Sequence, residues 1–171
     1  MGKLSDVPDM QRVMEKSIRN SARKHYSDEQ IDALTQSYKE QYNDFILNTQ
    51  FEVVIAEHRD RISGFGAIDY QYSSINSLFV HPEFMGQGIG ESILKKLENM
   101  AKEWFCDGLM VFASINAAGF YEKYGYTEIR NVDIETPDGR FVPSVLMSKE
   151  FEGCKFTLPI PDGMVEFRSD F

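Results

Sequence analysis

Between residues 7 and 18 the apolar positions Val7, Met10, Val13, Met14 and Ile18 recur at three- and four-residue intervals. That spacing puts them on one face of an amphipathic helix, with Asp6 placed to cap it. A second helical face follows in Ile31, Leu34, Tyr38, Tyr42 and Phe45, opened by Ser27 and Gln30 in a capping-box arrangement. From Phe51 the texture turns β-rich. "FEVVIAE" (51–57) and "RISGFGAIDY" (61–70), separated by a charged turn, predict an antiparallel hairpin. Gly64 and Gly66 inside the second run mark a bulge or a place where another backbone comes close. "INSLFV" (75–80) predicts a third strand, and Ile89, Ile93, Leu94, Leu97, Met100 and Ala101 predict a helix ending near Trp104.

"LMVFAS" (109–114) is continuously apolar, as in a strand buried on both faces. "AAGFYEKY" (117–124) fits a short helix closed by Gly125. The runs 126–135 and 141–151 flank Pro-Asp-Gly and predict a hairpin. A second Pro-Asp-Gly at Pro161–Gly163 predicts another, over Lys155–Arg168. Two helices, three strands, helix, strand, helix and further strands describe a mixed α/β (α+β) fold.

Composition narrows the function classes. A chain of 171 residues, 42% hydrophobic and 26% charged, suits one soluble domain. Its net charge of −9 argues against a nucleic-acid binder, which needs clustered Lys and Arg to neutralise phosphates. An acidic surface serves solubility and, with smaller weight, attracts a cationic acceptor such as an amine. Cys106 and Cys154 stand 48 positions apart, and His25, His58 and His81 have no metal-ligand spacing, so no metal is expected. Two reduced thiols, no apolar run near the length of a membrane span and no signal-peptide pattern predict a cytoplasmic protein away from the membrane. Gly2 is not followed by the Ser or Thr that myristoylation requires, since position 6 is Asp6.

The candidate chemistry lies in "HPEFMGQGIGESIL" (81–94), where Gly86, Gly88 and Gly90 alternate just before a helix. Free N–H groups at the positive end of a helix dipole bind anions, and glycine lets phosphate oxygens approach the backbone. A Walker loop would need Gly-Lys followed by Ser or Thr, whereas Ile89 and Glu91 follow here. A dinucleotide fingerprint would need G-x-G-x-x-G and an acidic residue ending the next strand. The spacing here is G-x-G-x-G, and Asp107 precedes its strand. Taken alone, the motif is equally a glycine turn joining strand to helix. About thirty residues on, however, "INAAGFYEKYGYTEI" supplies Asn116, Phe120-Tyr121 and Gly125-Tyr126.

With both motifs present, residues 51–150 resemble the GNAT superfamily of acetyltransferases. Its glycine motif has the form Q/R-x-x-G-x-G/A after a "VHP" strand end, and its later segment reads N…FYxxxGF. The resemblance implies a splayed, mostly antiparallel central sheet flanked by helices, with acetyl-CoA as co-substrate and no metal. The backbone at Leu78, Phe79 and Val80 would bind the pantetheine arm as an added strand. The N–H groups of Met85, Gly86, Gln87, Gly88, Ile89, Gly90 and Glu91 would hold the pyrophosphate, and Asn116 would meet the coenzyme near the thioester. Tyr121 would sit by the sulfur as general acid, a role its chemistry allows because a phenol titrating near ~10 stays protonated at neutral pH. On residue type alone, a core aromatic beside Phe120 and Tyr124 is the favoured reading of Tyr121.

Three departures qualify the resemblance. Met85 stands where the family usually has Gln or Arg, Gln87 replaces a residue that is often basic, and Glu91 puts a carboxylate beside the phosphate site. Asn76 stands where the family often has a glutamate base, which leaves the base unassigned: Asp69, His81 and Glu83 are nearby, His81 and Glu83 are expected to shape the loop instead, and water can serve. Only six residues precede the first helix, so the family's first strand is expected to be missing, and the C-terminal hairpin is expected to cover the sheet edge within one chain or across a homodimer. The expected organisation is one domain over residues 1–171: a helical acceptor side (1–50), a coenzyme-binding core (51–150) and a hairpin extension (151–171).

The expected activity is transfer of acetyl from acetyl-CoA directly to a primary amine of a small molecule or peptide in a ternary complex. The alternative is a non-catalytic acyl-CoA-binding module of the same fold, and a nucleotide-dependent enzyme is a third possibility. The pattern around His25 to Tyr42 does not specify the acceptor.

Overall fold

A computed structural model describes residues 2–159, apart from the side chains of 40, 41 and 43–45. The elements in chain order are α1 (Val7–Ser21), α2 (Asp28–Leu47), β1 (Phe51–His58), β2 (Arg61–Asp69), β3 (Ser74–Val80), α3 (Ile89–Glu103), β4 (Gly108–Ser114), α4 (Ala118–Lys123), β5 (Thr127–Glu135) and β6 (Phe141–Glu150). The six strands form one open sheet in the order β1-β2-β3-β4-β6-β5, antiparallel throughout except between β3 and β4.

The periodicities account for the layers. Met10, Val13, Met14 and Ile18 of α1 pack with Ile31 and Tyr42 of α2 against Val53, Phe65 and Ala67 on one face of the sheet. Ile93, Leu94, Leu97 and Met100 of α3 pack with Tyr121 of α4 against Ile68, Leu109, Val111 and Ala113 on the other. Alternate residues of a strand face opposite ways, which is why neighbours in β2 join different cores. Deleting a side chain as fully buried as Leu97 would cost about 2–5 kcal/mol.

Gly64 and Gly66 bring α3 down onto the sheet. A Cβ at Gly66 would lie 2.6 Å from Ile93 Cγ2, and one at Gly64 would lie 2.9 Å from the Phe79 carbonyl oxygen. The β1/β2 register also shifts between Ala56 and Glu57, leaving Ser63 unmatched, so both the bulge and the close approach are present. The expected capping box forms, Gln30 N–H donating to Ser27 Oγ at 3.3 Å and Ser27 N–H to Gln30 Oε1 at 3.1 Å. Asp6 precedes α1, but its carboxylate accepts from the Lys3 N–H and makes no cap bond to that helix.

Two expectations concern the edges. No strand precedes α1 among the described residues, and the Gly2 N–H donates to the Val53 carbonyl on the outer strand. The C-terminal hairpin requires a correction in its first half. Lys155–Pro159 is not a strand, because Phe156 turns inward over Gly108 and its N–H donates to Glu150 Oε2 at 2.8 Å. The remainder of that predicted hairpin lies outside the described residues.

Candidate active site

The sheet opens at its centre. Strands β3 and β4 pair only at Ser74↔Met110 and Ile75↔Val111; beyond that point β3 follows β2 and β4 follows β6. At the parting, Ala67 pairs with Ser77 and Ile68 with Ile75, so Asn76 is a bulged residue facing no partner in β2. The His81 N–H donates to the Ser63 carbonyl at 2.8 Å. Alternation of the antiparallel ladder then directs Phe79 toward β2 and leaves the N–H and C=O groups of Leu78 and Val80 facing the gap.

A cavity of about 610 Å³ runs through this gap from one face of the sheet to the other. On the α3/α4 side it is lined by Gly86, Gly88, Ile89, Gly90, Glu91, Lys123 and Tyr124. Gly86 and Gly88 have φ of 76° and 80°, values L side chains rarely adopt, and a Cβ on either would have no atom within 4 Å. Their conformation is needed and the space above them is open. Gly88 caps α3, so the N–H groups of Gly86 through Glu91 have no backbone acceptor among the described residues. The Met85 N–H, by contrast, is bound to the Pro82 carbonyl at 3.3 Å, so the free donors begin one residue later than expected. Gln87 reaches back to the Glu83 carbonyl.

Glu91 does not confront the loop as its position in sequence suggests. Its carboxylate accepts from Lys95 at 2.6 Å and from the Tyr124 hydroxyl at 3.0 Å, and these bonds hold it below the usual carboxylate range. Its charge is thereby partly compensated, and Lys123 adds a cation to the same side.

Around the parting itself, Asn116 Oδ1 is buried without a hydrogen-bond partner. Tyr121 is 5% exposed, its ring edge-on to Phe120 and Tyr126, yet its hydroxyl has no hydrogen-bond partner among the described residues. Burial pushes that phenol above its ordinary value, with Tyr38 across the gap adding to the shift. It is therefore protonated wherever the protein is folded near neutrality. The three candidate bases are all elsewhere. Asp69 binds the Gln71 and Tyr72 N–H groups and Gln50 in the β2–β3 turn. His81 is buried and accepts the Glu83 N–H, while Glu83 pairs with Arg61. None of them lines the cavity.

On the α1/α2 side the lining includes Ser17, Ile18, Ala22, Tyr26, Leu34, Tyr38, Phe79 and Phe112. The Tyr26 hydroxyl accepts the Ile115 N–H at 2.8 Å and donates to the Pro143 carbonyl at 2.7 Å, strapping the α1–α2 loop to the chain beside Asn116. Nothing local in the sequence announces this role, since the partners lie 89 and 117 positions away. Ser77, 3% exposed and with an unpartnered hydroxyl, was equally silent in the sequence.

The comparisons with known proteins agree with this architecture. Residues 22–150 match the family described as Acetyltransferase (GNAT) domain. The chain belongs to the GNAT acetyltransferase family. As a member it is an acyltransferase that uses acetyl-CoA as co-substrate and acts on amine acceptors. It is 28% identical over 130 residues, 76% of this chain and 81% of the relative, to YafP of Escherichia coli (strain K12), described as an uncharacterised N-acetyltransferase. The fold matches the GCN5-related N-acetyltransferase from Rhodopseudomonas palustris with a TM-score of 0.81 and 24% identity, covering 88% of this chain and 92% of that one. It also matches the PaiA N-acetyltransferase of Thermoplasma acidophilum, solved in complex with coenzyme A. There the TM-score is 0.72 and the identity 19%, over 88% of this chain and 96% of that one. Among the described residues no group of His, Cys, Asp or Glu could hold a metal ion, and no helix is long and apolar enough to cross a membrane.

Proposed function

We propose that this protein transfers the acetyl group directly to a primary amine within a ternary complex, with residues 1–171 acting as one unit. The observation that carries the proposal is Tyr121: a buried residue whose protonated hydroxyl has no partner among the described residues and which lines the cavity at the parting of β3 and β4, where Asn116 Oδ1 is also unpaired. Such orphaned groups await a ligand, and the open glycine loop fits a pyrophosphate.

Leu78 and Val80 offer main-chain groups for the pantetheine arm, an added-strand mode of recognition. The N–H groups of Gly86 to Glu91 hold the phosphates, and Asn116 orients the thioester end. When bound, acetyl-CoA supplies an activated acyl group and a thiol leaving group. The amine nitrogen contributes the electron pair of the new C–N bond, and the electron pair of the breaking C–S bond stays with sulfur. Tyr121 gives its proton to that sulfur and is reprotonated as nitrogen loses one. No carboxylate or histidine among the described lining residues touches the parting, so the amine enters already neutral and the proton that nitrogen loses returns through water to the Tyr121 phenolate.

The test combines acetyl-CoA titration calorimetry with thiol release over a panel of amines. Coenzyme binding together with amine-dependent thiol release that Tyr121→Phe suppresses supports the proposal. Binding without release from any amine would make the chain an acyl-CoA-binding module. A larger thermal shift with ATP or NAD than with acetyl-CoA would remove both readings.

A further inference from the structure

The α1/α2 end of the cavity carries information about the acceptor. Its walls are Ile18, Ala22, Leu34 and Phe112 with the aromatic faces of Tyr26 and Tyr38. The polar groups among them are hydroxyls, and the Tyr26 hydroxyl is already used twice, by Ile115 and Pro143. Ser77 shares this face with Phe79, and its buried hydroxyl is, with that of Tyr38, a free polar anchor among the described residues. Among the described residues the one carboxylate lining the cavity, Glu91, sits at the opposite end and is bound by Lys95 and Tyr124.

An ammonium group entering the α1/α2 end would lose its hydration and meet no carboxylate among the described lining residues. Burial pushes Tyr38 up to about 12 and raises Tyr26 as well, which marks the same end as one that disfavours charge. The net charge of −9 bears on how cations reach the molecule, not on what this end receives.

We propose that the acceptor is a singly basic amine with an apolar or aromatic body, bound in its neutral form between the Leu34, Tyr38 and Phe112 side chains with Ser77 as its polar contact. This rests on the transferase reading above. The body packs on the aliphatic and aromatic walls, the amine points toward the gap and Tyr121, and a second ammonium on the same molecule finds no counter-charge among the described lining residues. Polyamines and aminated sugars with several cationic groups are excluded by the same walls.

The experiment measures kcat/KM for phenethylamine and for spermidine with saturating acetyl-CoA. It uses the wild-type chain, Leu34→Glu and the milder Ser21→Asp, which places a carboxylate at the rim of the same end. The expected wild-type result is at least a tenfold preference for phenethylamine, with kcat/KM rising with pH as the amine deprotonates. Either carboxylate variant should narrow or reverse the preference while leaving the acetyl-CoA Kd unchanged, and that unchanged Kd also shows that the variant is folded. Spermidine preferred by the wild type, or a preference unmoved in a variant that still binds acetyl-CoA, overturns the inference alone. Thiol release with no amine at all overturns the transferase reading, and the inference with it.

Discussion

At the α3 end of the cleft the lining donors are peptide N–H groups, those of Gly86 through Glu91, whereas at the α1/α2 end the walls are side chains: Tyr26, Leu34, Tyr38 and Phe112. The first surface is built within six consecutive residues and depends on two positive φ values. The second is assembled from α1, the α1–α2 loop, α2 and β4, which meet only when the sheet has formed. A diphosphate is bound alike by any chain that presents free N–H groups at a helix start, so that end needs no particular side chain. An acceptor is distinguished by shape and charge, so its end is made of what differs between proteins.

Four measurements probe that contrast. The largest effect is expected at the junction of the two ends. Tyr121→Phe should lower kcat about 10²-fold or more, the range of a lost proton donor, with the acetyl-CoA Kd and the melting temperature nearly unchanged, because the hydroxyl makes no bond in the fold. Steady-state thiol release beside a thermal melt reads both. Wild-type kcat in the variant would make Tyr121 a packing aromatic and nothing more.

Next comes the backbone end. Gly88→Val forces a branched side chain into a conformation costing about 1–2 kcal/mol and fills the open space above the loop. Acetyl-CoA affinity should fall about tenfold or further, equivalent to at least ~1.4 kcal/mol, by calorimetry. An unchanged Kd would move the phosphates away from this loop.

Tyr26→Phe tests the side-chain end. It leaves the Ile115 N–H and the Pro143 carbonyl unpaired, at a cost of about 1–3 kcal/mol. A chain of this size loses about 2–4 °C of melting temperature per kcal/mol. The KM for the amine should rise more than the Kd for acetyl-CoA, and equal changes would indicate a purely structural strap.

The smallest effect concerns His81, which stands between β3 and the glycine loop without lining the cavity. Burial lowers its pKa, with Lys16 and Arg61 acting in the same direction and Glu83 opposing. Below about 6.5 the unfolded chain takes up a proton that the folded one refuses, so stability declines as pH falls through that value and levels off past the folded-state pKa. His81→Asn retains a side chain able to accept the Glu83 N–H but cannot titrate, so denaturant midpoints between pH 7 and 5 should decline less steeply in the variant.

The same contrast explains what could be read from the chain alone. Helices and strands followed from the spacing of Met10, Val13 and Met14, of Ile93 and Leu97, and from the alternation through β2, because each pattern is completed locally. The glycine loop was legible for the same reason. The Asn76 bulge was not, since it exists only in the register against β2. Tyr26 and Ser77 were invisible because their significance depends on partners, or the lack of them, set by tertiary packing. The repulsion expected of Glu91 is eased by Lys95 one helical turn on, a spacing visible in the sequence but decisive only with Tyr124 beside it. At Lys155–Pro159 a short β-like run pairs with no strand among the described residues, and Phe156 settles over Gly108.

Two matched residue pairs are all that stitch β1–β3 to β4–β6 through main-chain rungs. The molecule is thus a pair of ribbons sharing a short seam, and whatever threads the opening beyond Ile75 joins them mechanically as well as chemically. Amide exchange at Leu78 and Val80 should therefore slow when the coenzyme arrives, as two half-sheets begin to breathe as one.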